Sequence, residues 1–177
     1  AVQIDDTERK RAEENLRLSE ERLRLIIETA QDAFISIDDG GLTREWNGQA
    51  ERIFGWQRSE VIGKLLADFI IPEKFREQHL NGLKRFLSTK QGKVMNQRLE
   101  MTALHRRGHE FPVEMSISPM QHGDSHMFNA FVHDMTEQKR TQIELAHAQK
   151  MESIGQLAAG IAHEINTPMQ FIGDNGR

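Results

Sequence analysis

The chain has 177 residues, 37% hydrophobic and 28% charged, enough for one modest domain plus exposed helix. A formal net charge of -4 argues against a nucleic-acid or anionic-membrane binder, and Cys 0 excludes disulfides, thiolate metal sites and cysteine nucleophiles. No apolar run is long enough to cross a bilayer and Ala1–Lys10 is too polar for a secretory signal; a cytosolic setting is expected, with any membrane anchor lying elsewhere.

In chain order, roughly Asp6–Ala30 is rich in Glu, Arg and Leu and lacks Gly and Pro. Leu16, Leu23, Ile26, Ile27 and Ala30 recur at steps of three, four and seven. That narrow stripe predicts a coiled-coil helix or a single amphipathic helix lying on the domain. The period then changes. Ala33–Ile37 reads as a strand, Asp38–Gly41 as a turn and Leu42–Trp46 as the hairpin partner. Short helices are expected at Gly48–Phe54 and Ser59–Ile62. Pro72 suits the first turn of a longer helix at Glu73–Leu87. Strands follow at Val94–Ala103, Glu110–Ser118 and Met127–Met135, separated by turns at Arg107-Gly108 and around Gln121–Asp124. This order predicts an α+β fold, an antiparallel sheet with helices gathered on one face.

From Thr136 onward the chain reads as one long helix, with Thr136 suited to the N-cap and Glu137 to the first turn. At about 100° per residue, Met151, Leu157, Ala158, Ile161 and Ile165 lie within roughly 60° of Ile154. That face can pack in a helix bundle. His163 falls at about 180°, on the opposite face. A neutral imidazole there is a serviceable nucleophile near physiological pH, and Glu164 can hydrogen-bond the ring or take its proton. Pro168 removes an amide hydrogen bond after His163, so it either bends the helix or ends it.

The middle region resembles a PAS domain. The motifs are Trp46–Trp56 (WNGQAERIFGW), Ser59–Lys64 (SEVIGK), Arg106–Glu114 (RRGHEFPVE) and Asp134-Met135-Thr136, similar to the Asp-x-Thr signature that joins a PAS core to its output helix. Arg107 departs from the family's usual acid before the glycine. The resemblance implies a five-stranded antiparallel sheet with flanking helices and makes Asp134 and Thr136 the signal-coupling residues. The stretch Gln149–Pro168 is similar to the first helix of the dimerisation and phosphotransfer (HisKA) domain of histidine kinases. This implies His163 as phosphoacceptor, Glu164 as its acid–base partner and Thr167 as a residue orienting water during dephosphorylation of the partner. It also implies ATP as phosphate donor, a homodimer with long coiled-coil-like helices at both ends, and a response regulator receiver domain as partner. The second hairpin helix and the ATP-binding motifs of that family do not occur in this stretch, which is expected not to phosphorylate itself. The expected organisation is residues 1–21 as a signalling helix, 22–137 as the PAS sensor and 138–177 as linker and phosphoacceptor helix.

The signal is open. Without cysteine, a flavin–cysteine adduct or thioester-linked chromophore is excluded. Ile71–His79 resembles the helix that supplies the proximal haem histidine in FixL-like oxygen-sensing PAS kinases, which makes His79 either a haem ligand or an ordinary surface or capping histidine. The FixL type also carries a distal arginine, but Leu99 stands at that place and Arg98 beside it should face the other way. A small-molecule ligand in the PAS interior is the wider expectation. His105/His109 and His122/His126 are spaced by four, which matters on a helix, and no helix is read there; no metal site is expected. The alternative to a kinase sensor–transmitter is a non-enzymatic PAS dimerisation module whose trailing helix is a tether.

Overall fold

A computed structural model describes residues 6–172 except 93 and 124; the side chains of 122 and 164–172 also lie outside the described residues. The chain divides into two units, Ala1–Met135 and Thr136–Arg177, described separately below.

The first unit begins with α1 (Asp6–Glu28). Its charges pair along the helix, Asp6 with Arg9 and Glu14 with Arg17, at three-residue spacing. The Thr29 hydroxyl donates to the Leu25 carbonyl at 2.7 Å and closes the last turn. Then follow β1 (Ala33–Asp38), β2 (Thr43–Trp46), α2 (Gly48–Phe54), α3 (Arg58–Val61), α4 (Ala67–Ile70), α5 (Glu73–Thr89), β3 (Arg98–Leu104), β4 (Glu110–His122) and β5 (Ser125–Asp134). The strands form one antiparallel sheet in the order β2-β1-β5-β4-β3. This is the α+β architecture read from the sequence, with helices at both ends.

The core lies on one face of the sheet. Ile35 and Ile37, Phe128 and Val132, Phe111 and Val113, and Ala103 alternate inward along four strands. Phe54, Val61, Leu66, Ile70, Leu83 and Phe86 meet them from the helices. Ring contacts bind the two layers: Phe54 lies 5.8 Å from Phe111, and Phe86 meets Phe128 edge-on at 5.3 Å. Burying each such ring contributes roughly 2–3 kcal/mol. On the other face Phe34 and Phe131 touch at 5.1 Å.

Some boundaries differ from the expectation. The turn-like helix α4 has four residues, too few for a period to show. β3 begins at Arg98 rather than Val94, because Asn96 takes a positive φ of 56° and Met95 meets Ile117 in an isolated parallel bridge. β4 runs on to His122, paired with β5 to the end of the hairpin.

The second unit is α6 (Thr136–Ile172). The helix passes through Pro168, so that proline does not end it. Arg140 pairs with Glu144, and the Thr141 and Ser153 hydroxyls return to the carbonyls of Glu137 and Gln149. Ile143, Met151, Ile154, Leu157 and Ile161 are exposed.

Candidate functional site

His79 sits on α5 four residues before Leu83 and seven before Phe86, the two buried residues of that helix, so the imidazole shares their inward stripe. Its Nδ1 is buried with no hydrogen-bond partner among the described residues. Burial pushes its pKa below the ordinary histidine value, which favours the neutral ring. A neutral, inward-facing imidazole with an unsatisfied buried nitrogen can bind a metal centre or bond one polar atom of a ligand. On β3, Leu99 is half-buried opposite Met115, while Arg98 is exposed and pairs with Glu114 at 3.3 Å. The alternation expected from the sequence therefore holds, and Arg98 is committed to the outer face.

The β3–β4 turn brings His105 and His109 together. Their rings stack at 4.6 Å with an interplanar angle of 18°, and the His105 amide donates to the His109 carbonyl. Spacing by four across a tight hairpin juxtaposes side chains much as it does on a helix, which the sequence reading overlooked. The His105 Nδ1 accepts from the Arg107 amide at 3.0 Å, and its pKa is lowered by burial first, then by His109 and Arg107. Among the described residues no group of three or more His, Cys, Asp or Glu could hold a metal ion. Next to this pair, Arg106 lies 4.7 Å over the Trp56 ring and bonds Glu60 at 2.7 Å. The Gln57 amide, and after it Arg106, holds the Glu60 carboxyl below its usual range.

Asn47 is the polar hub of the first unit. It is buried, and its Oδ1 accepts from the amides of Phe34 and Ala50, both at 2.9 Å. Its Nδ2 donates to the carbonyls of Ile27 at 2.9 Å and Asp32 at 3.2 Å. The Glu28 carboxylate accepts from the Gly48 amide at the start of the same helix. An Asn before a helical run signals an N-cap in the sequence; its reach back to α1 does not show there.

Asp134 ends β5, opposite Val113, and is half-buried. Met135 is buried and its amide donates to the Pro112 carbonyl at 3.0 Å; Thr136 then opens α6. On α6, His163 is exposed. Glu164 and Thr167 follow in helical register, one and four residues on; their side chains lie outside the described residues. The predicted residues thus fall in three places: His79 inside the first unit, Asp134 and Thr136 at the end of the sheet, and His163, Glu164 and Thr167 on α6.

The model of the PAS fold matches residues 21–135. The chain belongs to the PAS family. Its relatives include Sensor protein FixL of Bradyrhizobium diazoefficiens, 35% identical over 96% of this chain and 35% of the relative. Another is the cell-division control histidine kinase PdhS of Brucella anthropi, 32% identical over 97% of this chain and 16% of the relative. The chain therefore spans about a third and about a sixth of these proteins. Among solved structures, the PAS domain of an HTR-like protein from Haloarcula marismortui superposes with a TM-score of 0.57 and 24% identity, covering 71% of this chain and 98% of that one. That likeness is one of fold.

Proposed function

We propose that this PAS chain is the sensory and phosphoacceptor portion of a two-component sensor histidine kinase. One observation carries the reading: similarity to proteins named as a sensor and as a histidine kinase covers 96% and 97% of the chain, so it takes in α6 as well as the sheet. A signal bound or felt in the PAS interior alters the sheet. Asp134 and Thr136 pass the change to α6, whose state sets how well His163 is phosphorylated. An imidazole nitrogen of His163 attacks the γ-phosphorus of ATP held by the kinase's catalytic domain. The bond to the bridging oxygen breaks, ADP leaves, and Glu164 handles the ring proton. The phosphoryl group then passes to a response regulator receiver domain. Thr167, one turn beyond His163, orients water when that receiver is dephosphorylated. The protein works as a homodimer.

The test supplies the missing partner. The chain is mixed with the complete kinase carrying His→Gln at the phosphoacceptor position, under conditions where subunits exchange. Acid-labile label from ATP should appear on the chain, vanish with His163→Gln and form more slowly with Glu164→Gln. Label that persists in His163→Gln rejects the assignment.

His79 favours a second, compatible reading, in which the bound group is haem. One inward imidazole that burial biases to the neutral form would suit a haem-iron ligand, and the resemblance of Ile71–His79 to the FixL-type proximal helix points the same way. Haem would supply gas or redox sensing; His79 would hold the iron, and the buried Leu83 and Phe86 on the same helix would keep water away. No inner arginine is available on β3, so gas discrimination would differ from that of the FixL type. Purified protein given haem should show a Soret band that shifts with ligand gas, lost in His79→Ala while the far-ultraviolet dichroism is kept. A band unchanged in His79→Ala removes this reading.

A further inference from the structure

In the first unit a side-chain bridge links the segment that enters the sheet to the strand that leaves it. The His133 Nδ1 and the Asp32 Oδ1 are 2.8 Å apart, across 101 residues of sequence. Asp32 lies between the end of α1 and the start of β1; His133 is the last residue but one of β5 and stands three residues before α6. The His133 neighbour across the β4–β5 ladder is Glu114, whose carboxylate is engaged by Arg98. Asp32 is tied twice. Its side chain holds His133, and its carbonyl accepts from Asn47, which also grips the Ile27 carbonyl in the last turn of α1. A continuous polar path therefore runs from the end of α1 through Asn47 and Asp32 to His133. From there the chain continues through Asp134 and Met135 to α6.

We infer that Asp32 and His133 form a clasp joining the entry and exit of the PAS domain, and that His133 is a positioning residue through which α1 and the start of α6 sense each other. Both side chains are substantially exposed, so the pair adds little to global stability. Its effect is local: it fixes where the last strand sits relative to the incoming segment. The bond needs a hydrogen on Nδ1, which the protonated ring and the Nδ1–H tautomer of the neutral ring both supply. A movement of α1, as from a preceding signalling element, reaches the output junction without passing through the apolar interior. The clasp thus gives the junction an input separate from the apolar core. This part of the inference rests on the kinase reading above.

Amide hydrogen exchange on the complete 177-residue chain tests the clasp directly. Asp32→Ala should raise exchange at least threefold not only near residue 32 but also at 134–139, and His133→Ala should raise it at 29–33 as well as near its own site. Amides of Val113 and Ile35 should keep their protection. The swapped pair Asp32→His with His133→Asp should return both regions to within twofold of the wild type. Exchange that rises only around the substituted residue, or a swap that fails to restore it, overturns the clasp. In the complete kinase, His133→Ala should leave labelling of His163 intact but cut its response to displacement of α1 at least threefold. An unchanged response overturns the signalling role. If wild-type His163 takes no label at all, the kinase reading fails while the exchange result still decides the clasp.

Discussion

His105 shows how a single side chain can make the fold pH-sensitive. Its Nδ1 accepts from the Arg107 amide, so the ring must be neutral there, and protonation breaks that bond. Burial, His109 and Arg107 all lower its pKa, and burial lowers that of His79. Arg106, next to it in the chain, is already engaged with Glu60. A histidine whose folded pKa is depressed stabilises the fold above its unfolded value. That contribution is lost as the pH falls from about 6.5 through the folded value. His105 and His79 are both half-buried, and each contributes in this direction. Imidazole chemical-shift titration should place both midpoints below those of the same residues in the urea-unfolded chain, and the urea midpoint of unfolding should drop between pH 7 and 5.5. A His79 midpoint at or above the unfolded one contradicts the burial described here.

At the scale of elements, two polar devices fix how α2 joins its neighbours. Asn47 caps α2 and also binds Phe34, Ile27 and Asp32, so Asn47→Ala removes a cap and strands several buried groups. The expected cost is about 3 kcal/mol by denaturant unfolding. Asn47→Asp keeps the acceptor bonds and loses the donors, so it should fall between. At the other end of α2, Gly55 has a φ of 79°, and an added Cβ would lie 2.8 Å from His105 Nε2. Gly55→Ala should cost about 2 kcal/mol and shift the His105 ring resonances; a neutral substitution would mean the hairpin tip yields freely. These devices also show what a sequence can and cannot reveal. Ala33–Ile37 and Gly48–Phe54 were legible because apolar period and turn residues mark them locally. Asn47 stands before a helical run, a cap signal that the sequence reading did not use, and its bonds to Ile27 and Asp32 join residues far apart in sequence. The His105–His109 stack depends on the hairpin register, and the late start of β3 on a positive φ at Asn96, which no period encodes. For His79 the sequence left a haem ligand and a surface or capping histidine open; its place on the Leu83–Phe86 stripe and its unpaired Nδ1 came only with the structure.

At the scale of the whole molecule, the apolar residues left uncovered on the helices argue for a second copy. On α1, Leu16, Leu23 and Ile26 are 57–61% exposed, and they lie on one stripe. On α6, Ile154, Leu157 and Ile161 form a similar stripe opposite His163. Neither helix has a narrow seam of this kind without incurring the cost of leaving it in water, and the seven-residue recurrence of Leu16 and Leu23 suits a parallel coiled coil. Covering half of each such side chain contributes roughly 1 kcal/mol, while association costs at least about 4 kcal/mol in lost freedom. The net should support dimers at tens of micromolar, a rough range for modest affinity. Light scattering should then give twice the chain mass. Leu23→Glu and Ile154→Glu should each weaken the dimer about tenfold or more, and together they should give monomers whose sheet core still unfolds cooperatively. Labelling of His163 by an exchanged kinase subunit should fall in step with the loss of dimer, because the donor subunit can no longer dock. A wild-type monomer at tens of micromolar, or labelling that survives in the monomeric double variant, rules out pairing through these stripes.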